Sequence, residues 1–259
     1  MQAIWVTGAA SGIGAAVVAM LRARGVKTIG VDRHWPGATR ENSETRNCDL
    51  SDIAAVRALA DTWRHEAPAG LVNCAGLSDT APTRTVFAVN LLAPRLLGEA
   101  LLALGGPASI VQVASGVAAN WRLDAALLIE LARLPDAALI DRAEALVGAT
   151  LPAYTLSKQL LCAHATDLSA RGNPLAIRVN TLLPGPVDTP LLADFRTSMG
   201  QAALDWTEAA AGRFGTAREI AAAIGFLLSA EASWISGADL QVDGGLRAIA
   251  TLSPPAARA

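Results

Sequence analysis

The sequence predicts an α/β fold on a doubly wound parallel sheet, and three observations predict it. Short, continuously apolar runs alternate with helical patterns along most of the chain, as strands buried on both faces do. The first run opens directly into a glycine-rich turn and a helix, Thr7-Gly8-Ala9-Ala10-Ser11-Gly12-Ile13-Gly14. The second run closes on an acid, Asp32. Right-handed crossovers between such strands give a Rossmann-type layer with helices on both faces.

Residues 3–6 read as the first strand, and 12–24 as an amphipathic helix stopped by Gly25. Residues 27–31 and 46–48 make a second and a short third strand. Residues 52–66 are helical, with Ser51 as the N-cap. A fourth strand at 70–73 leads to a long helix over 85–104, stopped by Gly105-Gly106. Residues 108–113 form a fifth strand. An extra segment of about 118–150 precedes a helix at 154–171. A strand at 175–182, a helix at 217–229 and a strand at 238–242 complete the pattern. No repeat or low-complexity linker divides it, which predicts a single domain over 1–250 and a short tail over 251–259.

Composition narrows the function. The 259 residues are 52% hydrophobic and 17% charged, which suits a chain with a large buried core. A net charge of −2 and a pI of about 5.9 argue against a nucleic-acid binder held by a broad basic face. Cys48, Cys74 and Cys162 are scattered and odd in number, and form neither a disulfide framework nor a CxxC pair. His34, His65 and His164 share no metal-ligand spacing, so no metal site is expected. The N-terminus carries no signal-type run, and the longest apolar stretch, Leu91 to Leu104, is broken by Pro94, Arg95, Gly98 and Glu99. A soluble, cytoplasmic chain is expected, with no membrane and no nucleic-acid partner.

The glycine turn is the first motif with chemistry. Gly8 can turn sharply, Gly12 lets backbone approach a pyrophosphate, and Gly14 lets the helix pack close to the strand. The helix N-terminus favours phosphate charge. The spacing is G-x-x-x-G-x-G, and a turn that only joins strand to helix is the alternative. A carboxylate at Asp32 accepts hydrogen bonds from ribose hydroxyls and repels the extra phosphate of NADP, which predicts NAD as the cofactor. Arg33 and His34 beside it can soften that preference. Asp49, closing the third strand, lies either near the adenine or in a turn before Ser51.

Tyr154, the one tyrosine in the chain, stands at i, i+4 with Lys158 on one face of a helix. A free phenol is a poor base at neutral pH, and a nearby ammonium favours the phenolate. The pair is therefore a candidate acid/base unit, although Y-x-x-x-K alone also suits an ordinary helix surface. Its company raises its meaning. Ser115 follows the fifth strand, Asn73-Cys-Ala-Gly76 the fourth, and Pro184-Gly-Pro-Val-Asp-Thr-Pro190 the sixth, all at the sheet edge where open α/β folds bind ligands. Asn90 stands out as a polar residue in an apolar helical run.

With these motifs the sequence resembles the short-chain dehydrogenase/reductase family over nearly its whole length, from Thr7-Gly8 to Asp243-Gly-Gly245. The resemblance implies that Gly8, Ser11, Gly12, Ile13 and Gly14 form the cofactor turn, with Asp32 selecting NAD. It implies that Asp49 and Leu50 flank the adenine, and that Asn73, Ala75 and Gly76 shape the pocket wall. Asn90 would hold a water in a proton relay through Lys158 and the ribose. Ser115 would polarise a substrate carbonyl, and Tyr154 would be the acid/base. Lys158 would bind the nicotinamide ribose and depress the tyrosine pKa. Pro184, Gly185, Val187 and Thr189 would line the nicotinamide. Two positions depart from the family pattern: Cys74 stands where a second Asn is common, and Ala114 where a second Ser is frequent.

Ser115 and Tyr154 are also farther apart than in most of the family. Leu123, Leu127, Leu131 and Leu134 recur at helical spacing, Pro135 suits the first turn of a second helix, and Leu139, Ala143, Leu146 and Val147 form a second stripe. A helical hairpin over the mouth of the site is expected. By analogy with members that carry such an insertion, it blocks the usual four-helix interface. A homodimer through 217–242 follows, with a homotetramer as the alternative, and the hairpin covering only its own core as the plainer reading. Residues 191–215 would form a substrate lid, with Phe195, Met199 and Trp206 joining Trp121 in an apolar pocket.

The expected function is NAD-dependent interconversion of a hydrophobic alcohol and its carbonyl compound. An aryl or allylic substrate is slightly preferred over a cyclic or steroid one. An NAD-sensing regulator without turnover needs none of Ser115, Tyr154 and Lys158, and a Rossmann methyltransferase has no use for the Tyr-Lys pair.

Overall fold

The computed structural model describes residues 2–35, 44–119, 124–147 and 151–252. Seven strands form one all-parallel sheet, β1 (Ile4–Thr7), β2 (Thr28–Asp32), β3 (Thr45–Asn47), β4 (Gly70–Asn73), β5 (Ala108–Val113), β6 (Ile177–Pro184) and, after a separate two-stranded ribbon of β7 (Val187–Asp188) and β8 (Gly215–Thr216), β9 (Asp239–Val242). Their order is β3-β2-β1-β4-β5-β6-β9, so the chain reverses its direction of winding between β1 and β4. That reversal splays the flanking connections and opens a crevice at the carboxyl edge. The Rossmann-type expectation is thus the observed fold.

Helices cover both faces, as the continuously apolar strands require. On one face α1 (Gly12–Ala23) packs against α10 (Ala217–Leu228), burying Val17, Leu21, Ile220 and Ile224 on β1, β4 and β5. A capping box starts α10: Thr216 Oγ1 accepts from Glu219 N, and the Glu219 carboxylate accepts from Thr216 N. On the other face lie α2 (Ile53–Asp61), a long helix over residues 83–104 and α7 (Ala153–Gly172). Trp5 of β1 meets Trp63 edge to face there, with ring centroids 5.5 Å apart.

Local chemistry moves several predicted boundaries. Asp52, not Ser51, caps α2: its Oδ1 accepts from Ala54 N and Ala55 N at 2.9 and 3.1 Å. Ser51 is instead drawn to Asp49, to which it donates from both N and Oγ. That helix ends earlier than 66, passing into a 3₁₀ turn over Thr62–Arg64. The long helix starts two residues before 85 and is composite, α3 (Thr83–Phe87), a π-helical turn (Ala88–Leu92) and α4 (Ala93–Leu104). Pro94 explains the π turn, because its ring cannot stand one α-turn above the Asn90 carbonyl and has no N–H to give it. By length and composition this 22-residue helix could cross a membrane, yet 72% of its most apolar window is buried inside the fold. It is a core helix.

The insertion is a hairpin of α5 (Ala125–Arg133) and α6 (Asp136–Leu146), with Asp124 capping the first and Pro135 just ahead of the second. Its buried stripe is Leu128, Leu131 and Ala132, one residue round from the expected Leu127 and Leu134, which are only partly buried. Leu139 and Ala143 are buried as expected, and Leu146 and Val147 pack beside them. Leu123 and Trp121 lie outside the described residues. The described residues of α5 and α6 pack on α7 and α3 and line neither cavity of the cleft, so they do not supply the cover expected over its mouth. Arg133–Asp167 and Arg57–Asp136 ion pairs fasten it to that outer face. Beyond β9 an unexpected short helix, α11 (Leu246–Leu252), runs across the nominal end of the domain at 250.

Candidate active site

At the β1–α1 junction the glycines do different work. Gly8 has φ +65°, and a Cβ there would fall 2.8 Å from the Ala75 Cα. A Cβ on Gly14 would stand 2.1 Å from the Gly8 carbonyl oxygen, so the helix packs onto its own turn only through glycine. Thr7 Oγ1 accepts from Cys74 N and Ala75 N, tying this turn to the β4 end. Asp32 Oδ2 accepts from Ala10 N at 3.0 Å, and its Oδ1 from Arg33 N and His34 N. The carboxylate is therefore held at the turn itself.

These elements enclose a cleft of about 460 Å³. Gly8, Ser11, Gly12, Ile13, Gly14, Asp32, Asp49, Leu50, Ala75, Gly76 and Thr189 line it, as the sequence implies, and so do Arg33, His34 and Cys74. Asp49 lines the cleft and also forms the turn into α2, where the Ser51 hydrogen bonds hold its carboxyl below the usual range. A glycine cradle at a helix N-terminus, closed by a fixed carboxylate, fits a dinucleotide.

A second cavity of about 240 Å³ shares Ile13, Cys74, Gly76, Thr189 and Leu191 with the first. Ser115, Tyr154 and Lys158 line it together, with Pro184, Gly185 and Val187 from the β6 end. The remaining wall comes from α8 (Leu191–Met199) and α9 (Gln201–Ala211), through Phe195, Met199 and Trp206, and from α11. Phe195 meets the Tyr154 ring edge to face at 5.0 Å. The segment read as a lid thus lies against the tyrosine.

Burial sets the electrostatics. It pushes the Tyr154 phenol up to about 12, with Ser115 pulling the other way and the Asp79 charge adding to the rise. It pulls the Lys158 ammonium down to about 8. Lys158 Nζ donates to the Val113 carbonyl at 2.9 Å and stands 5.8 Å from the tyrosine ring centroid. The tyrosine is accordingly raised by desolvation, and the pull against it comes from Ser115, not from Lys158 as expected. Cys74 is likewise pushed up to about 12, an inert thiol.

Asn73, predicted on the wall, and Asn90, predicted to hold a relay water, both lie behind the cavity lining. Asn73 is buried and donates from Nδ2 to Gln112 Oε1 across β4 and β5. Asn90 is fully buried in the π turn, where Oδ1 accepts from Leu77 N while Nδ2 donates to Leu77 O and Ser157 Oγ. Both amide hydrogens are committed, so the side chain fastens the 77 loop to α7. Neither asparagine lines a cavity. Sequence reasoning missed Asp79, whose Oδ1 accepts from Tyr154 N at 2.8 Å, and the α11 residues Leu246, Arg247 and Ala250. An acid in a loop gives no periodic signal, but Asp243 ahead of Leu246 and Ala250 is readable as a cap before a short apolar face. Among the described residues no cluster of three or more His, Cys, Asp or Glu could hold a metal.

Comparison with known proteins agrees with this geometry. Residues 2–124 match the family described as short chain dehydrogenase, and 140–247 the one described as enoyl-(acyl carrier protein) reductase. The unmatched stretch between them falls in the hairpin. A coniferyl-alcohol dehydrogenase of Pseudomonas sp. (strain HR199 / DSM 7063) is 35% identical over 94% of this chain and 95% of its own length. A 3-alpha-hydroxysteroid dehydrogenase/carbonyl reductase of Comamonas testosteroni is 30% identical, over 96% and 98%. The crystal structure of a 3-alpha-hydroxysteroid dehydrogenase from Pseudomonas sp. B-0831, complexed with NADH, superimposes with a TM-score of 0.80 at 33% identity, covering 97% of this chain and 98% of that one. The fold and its relatives define an oxidoreductase that works with NAD or NADP. More narrowly, the chain belongs to the short-chain dehydrogenase/reductase family.

Proposed function

We propose that the protein interconverts a hydrophobic alcohol and its carbonyl compound, with NAD as the preferred dinucleotide. The observation that carries this reading is the meeting of Ser115, Tyr154 and Lys158 in one small cavity continuous with the glycine cleft. When bound, a nicotinamide dinucleotide supplies the acceptor and donor of hydride. In oxidation the substrate hydroxyl loses its proton to the Tyr154 oxygen while the electron pair of its carbinol C–H bond leaves as hydride. In reduction Tyr154 returns the proton to the forming alkoxide. Ser115 orients the reacting oxygen, and the Lys158 charge favours the phenolate. Asp32 supports NAD over NADP, because a fixed carboxylate at the ribose repels a 2′-phosphate; the ratio of kcat/KM for NADH and NADPH measures this.

The small cavity, about 240 Å³ against the ~300–1,000 Å³ usual for drug-sized ligands, supports a one-ring aryl or allylic substrate over a steroid. The names of the two relatives span both classes. Replacing Tyr154 by Phe should lower kcat by about 10²- to 10⁴-fold, the usual share of a general acid/base, with NADH binding retained. Near-normal turnover in Tyr154→Phe would remove the mechanism.

A further inference from the structure

Among the described residues lining the substrate cavity, Lys158, Asp243 and Arg247 carry charge. Lys158 is buried and occupied with Val113 O. Asp243 is turned to the start of α11, where Oδ1 accepts from Gly245 N at 2.9 Å and Oδ2 from Arg247 N at 3.0 Å. Arg247 differs from both. Its backbone is fixed by that cap and by Thr251 Oγ1, which donates to its carbonyl. Its charge reaches Asp239, whose carboxyl it pulls down against burial, yet no ion pair or side-chain hydrogen bond holds its guanidinium among the described residues. It is an anchored, exposed cation whose arm borders an otherwise apolar, aromatic cavity. The mechanism makes no use of it.

From this geometry we infer that Arg247 selects substrates carrying a carboxylate away from the reacting carbon, so that the natural substrate is an aromatic or allylic hydroxy acid or its carbonyl form. A guanidinium presents a planar fork that matches a carboxylate in two parallel hydrogen bonds. A single guanidinium offers one fork, the complement of one carboxylate group. The inference rests on the alcohol–carbonyl reading for its substrate, but the anion site can be tested apart from turnover.

The test is calorimetric titration of the protein saturated with NADH, using p-toluate and its neutral isostere p-toluamide. Wild type should bind the acid at least about tenfold more tightly. Arg247→Met should bring the two to parity, and Arg247→Lys should keep part of the difference. No preference in wild type, or a preference that survives Arg247→Met and so belongs to Lys158, overturns the inference. In parallel, kcat/KM is compared for 4-(hydroxymethyl)benzoate and 4-(hydroxymethyl)benzamide. If the binding preference holds but neither alcohol is oxidised, the anion site stands and the alcohol–carbonyl reading falls. If both are oxidised at parity without a binding preference, the reading stands and the anion site falls.

Discussion

Asp79 reaches Tyr154 in two ways. Its Oδ1 accepts from the Tyr154 N–H, doing from a distant loop what an N-cap does for α7, and its charge pushes the phenol up. The two effects separate by substitution. Asp79→Asn keeps an acceptor and removes the charge, so Tyr154 should titrate lower. If the phenolate is the base in alcohol oxidation, the acidic limb of the kcat/KM profile then moves to lower pH. Asp79→Ala loses the cap as well, and should cost about 1 kcal/mol of stability that Asn retains. Because the chain has one tyrosine, ultraviolet phenolate absorbance reads that residue alone. An unchanged titration in Asp79→Asn, measured where the protein stays folded, would show that the charge does not reach the ring. The wider lesson at this scale concerns burial. The i, i+4 spacing of Tyr154 and Lys158 is plain in the sequence, but the desolvation that pushes the phenol up and the ammonium down depends on what Phe195, Val113 and the sheet edge place around them.

Elements show why some of this was legible and some was not. The glycine turn, the strand ends and the helix bearing Tyr154 follow from local pattern: an apolar run, a turn with room only for glycine, an acid at the end of the next strand. Of those residues the glycines of the turn, Asp32, Ala75, Gly76, Ser115, Tyr154 and Lys158 line the two cavities, and Asn73 does not. Asn90 was conspicuous for a sound reason, since a buried amide needs partners, but its partners Leu77 and Ser157 are distant in sequence and redirect it from the cavity to the scaffold. The π turn that carries it depends on Pro94, and a helical pattern hides a one-residue bulge. Helix α11 was lost because seven residues after a double glycine give too short a period to read. The join between β2 and the glycine turn carries its own prediction. Asp32→Asn leaves an acceptor for Ala10 N but removes the carboxylate charge, while Arg33 and His34 remain on the same wall. The preference for NADH over NADPH, as a ratio of kcat/KM, should therefore fall by about tenfold or more. A ratio that does not move would place the discrimination elsewhere in the cleft.

At the scale of the whole molecule the hairpin and the apolar surface bear on assembly. Helices α5 and α6 lie on the outer faces of α7 and α3, held by Arg133–Asp167, Arg57–Asp136 and the pairs from Arg84 to Asp141 and Glu144. Any partner approaching along those helices meets the hairpin first. On the other side of the sheet the surface is of another kind. Trp234 is 99% exposed, and Phe226 of α10 is 43% exposed close by in sequence. Isolated exposed apolar side chains are ordinary, but a fully exposed tryptophan is costly to leave in water and is the sort of anchor that interfaces bury. We therefore propose a homodimer formed through 217–242, with the hairpin excluding a second pairing along α7. Gel filtration with light scattering should give twice the 26.6 kDa chain mass. Trp234→Lys should release monomers with the cleft still able to bind NADH, because neither Trp234 nor Phe226 lines a cavity. A tetramer would refute the blocking by the hairpin. A dimer untouched by Trp234→Lys would move the interface to another face while leaving that blocking intact, since only pairing along α7 requires the hairpin to yield.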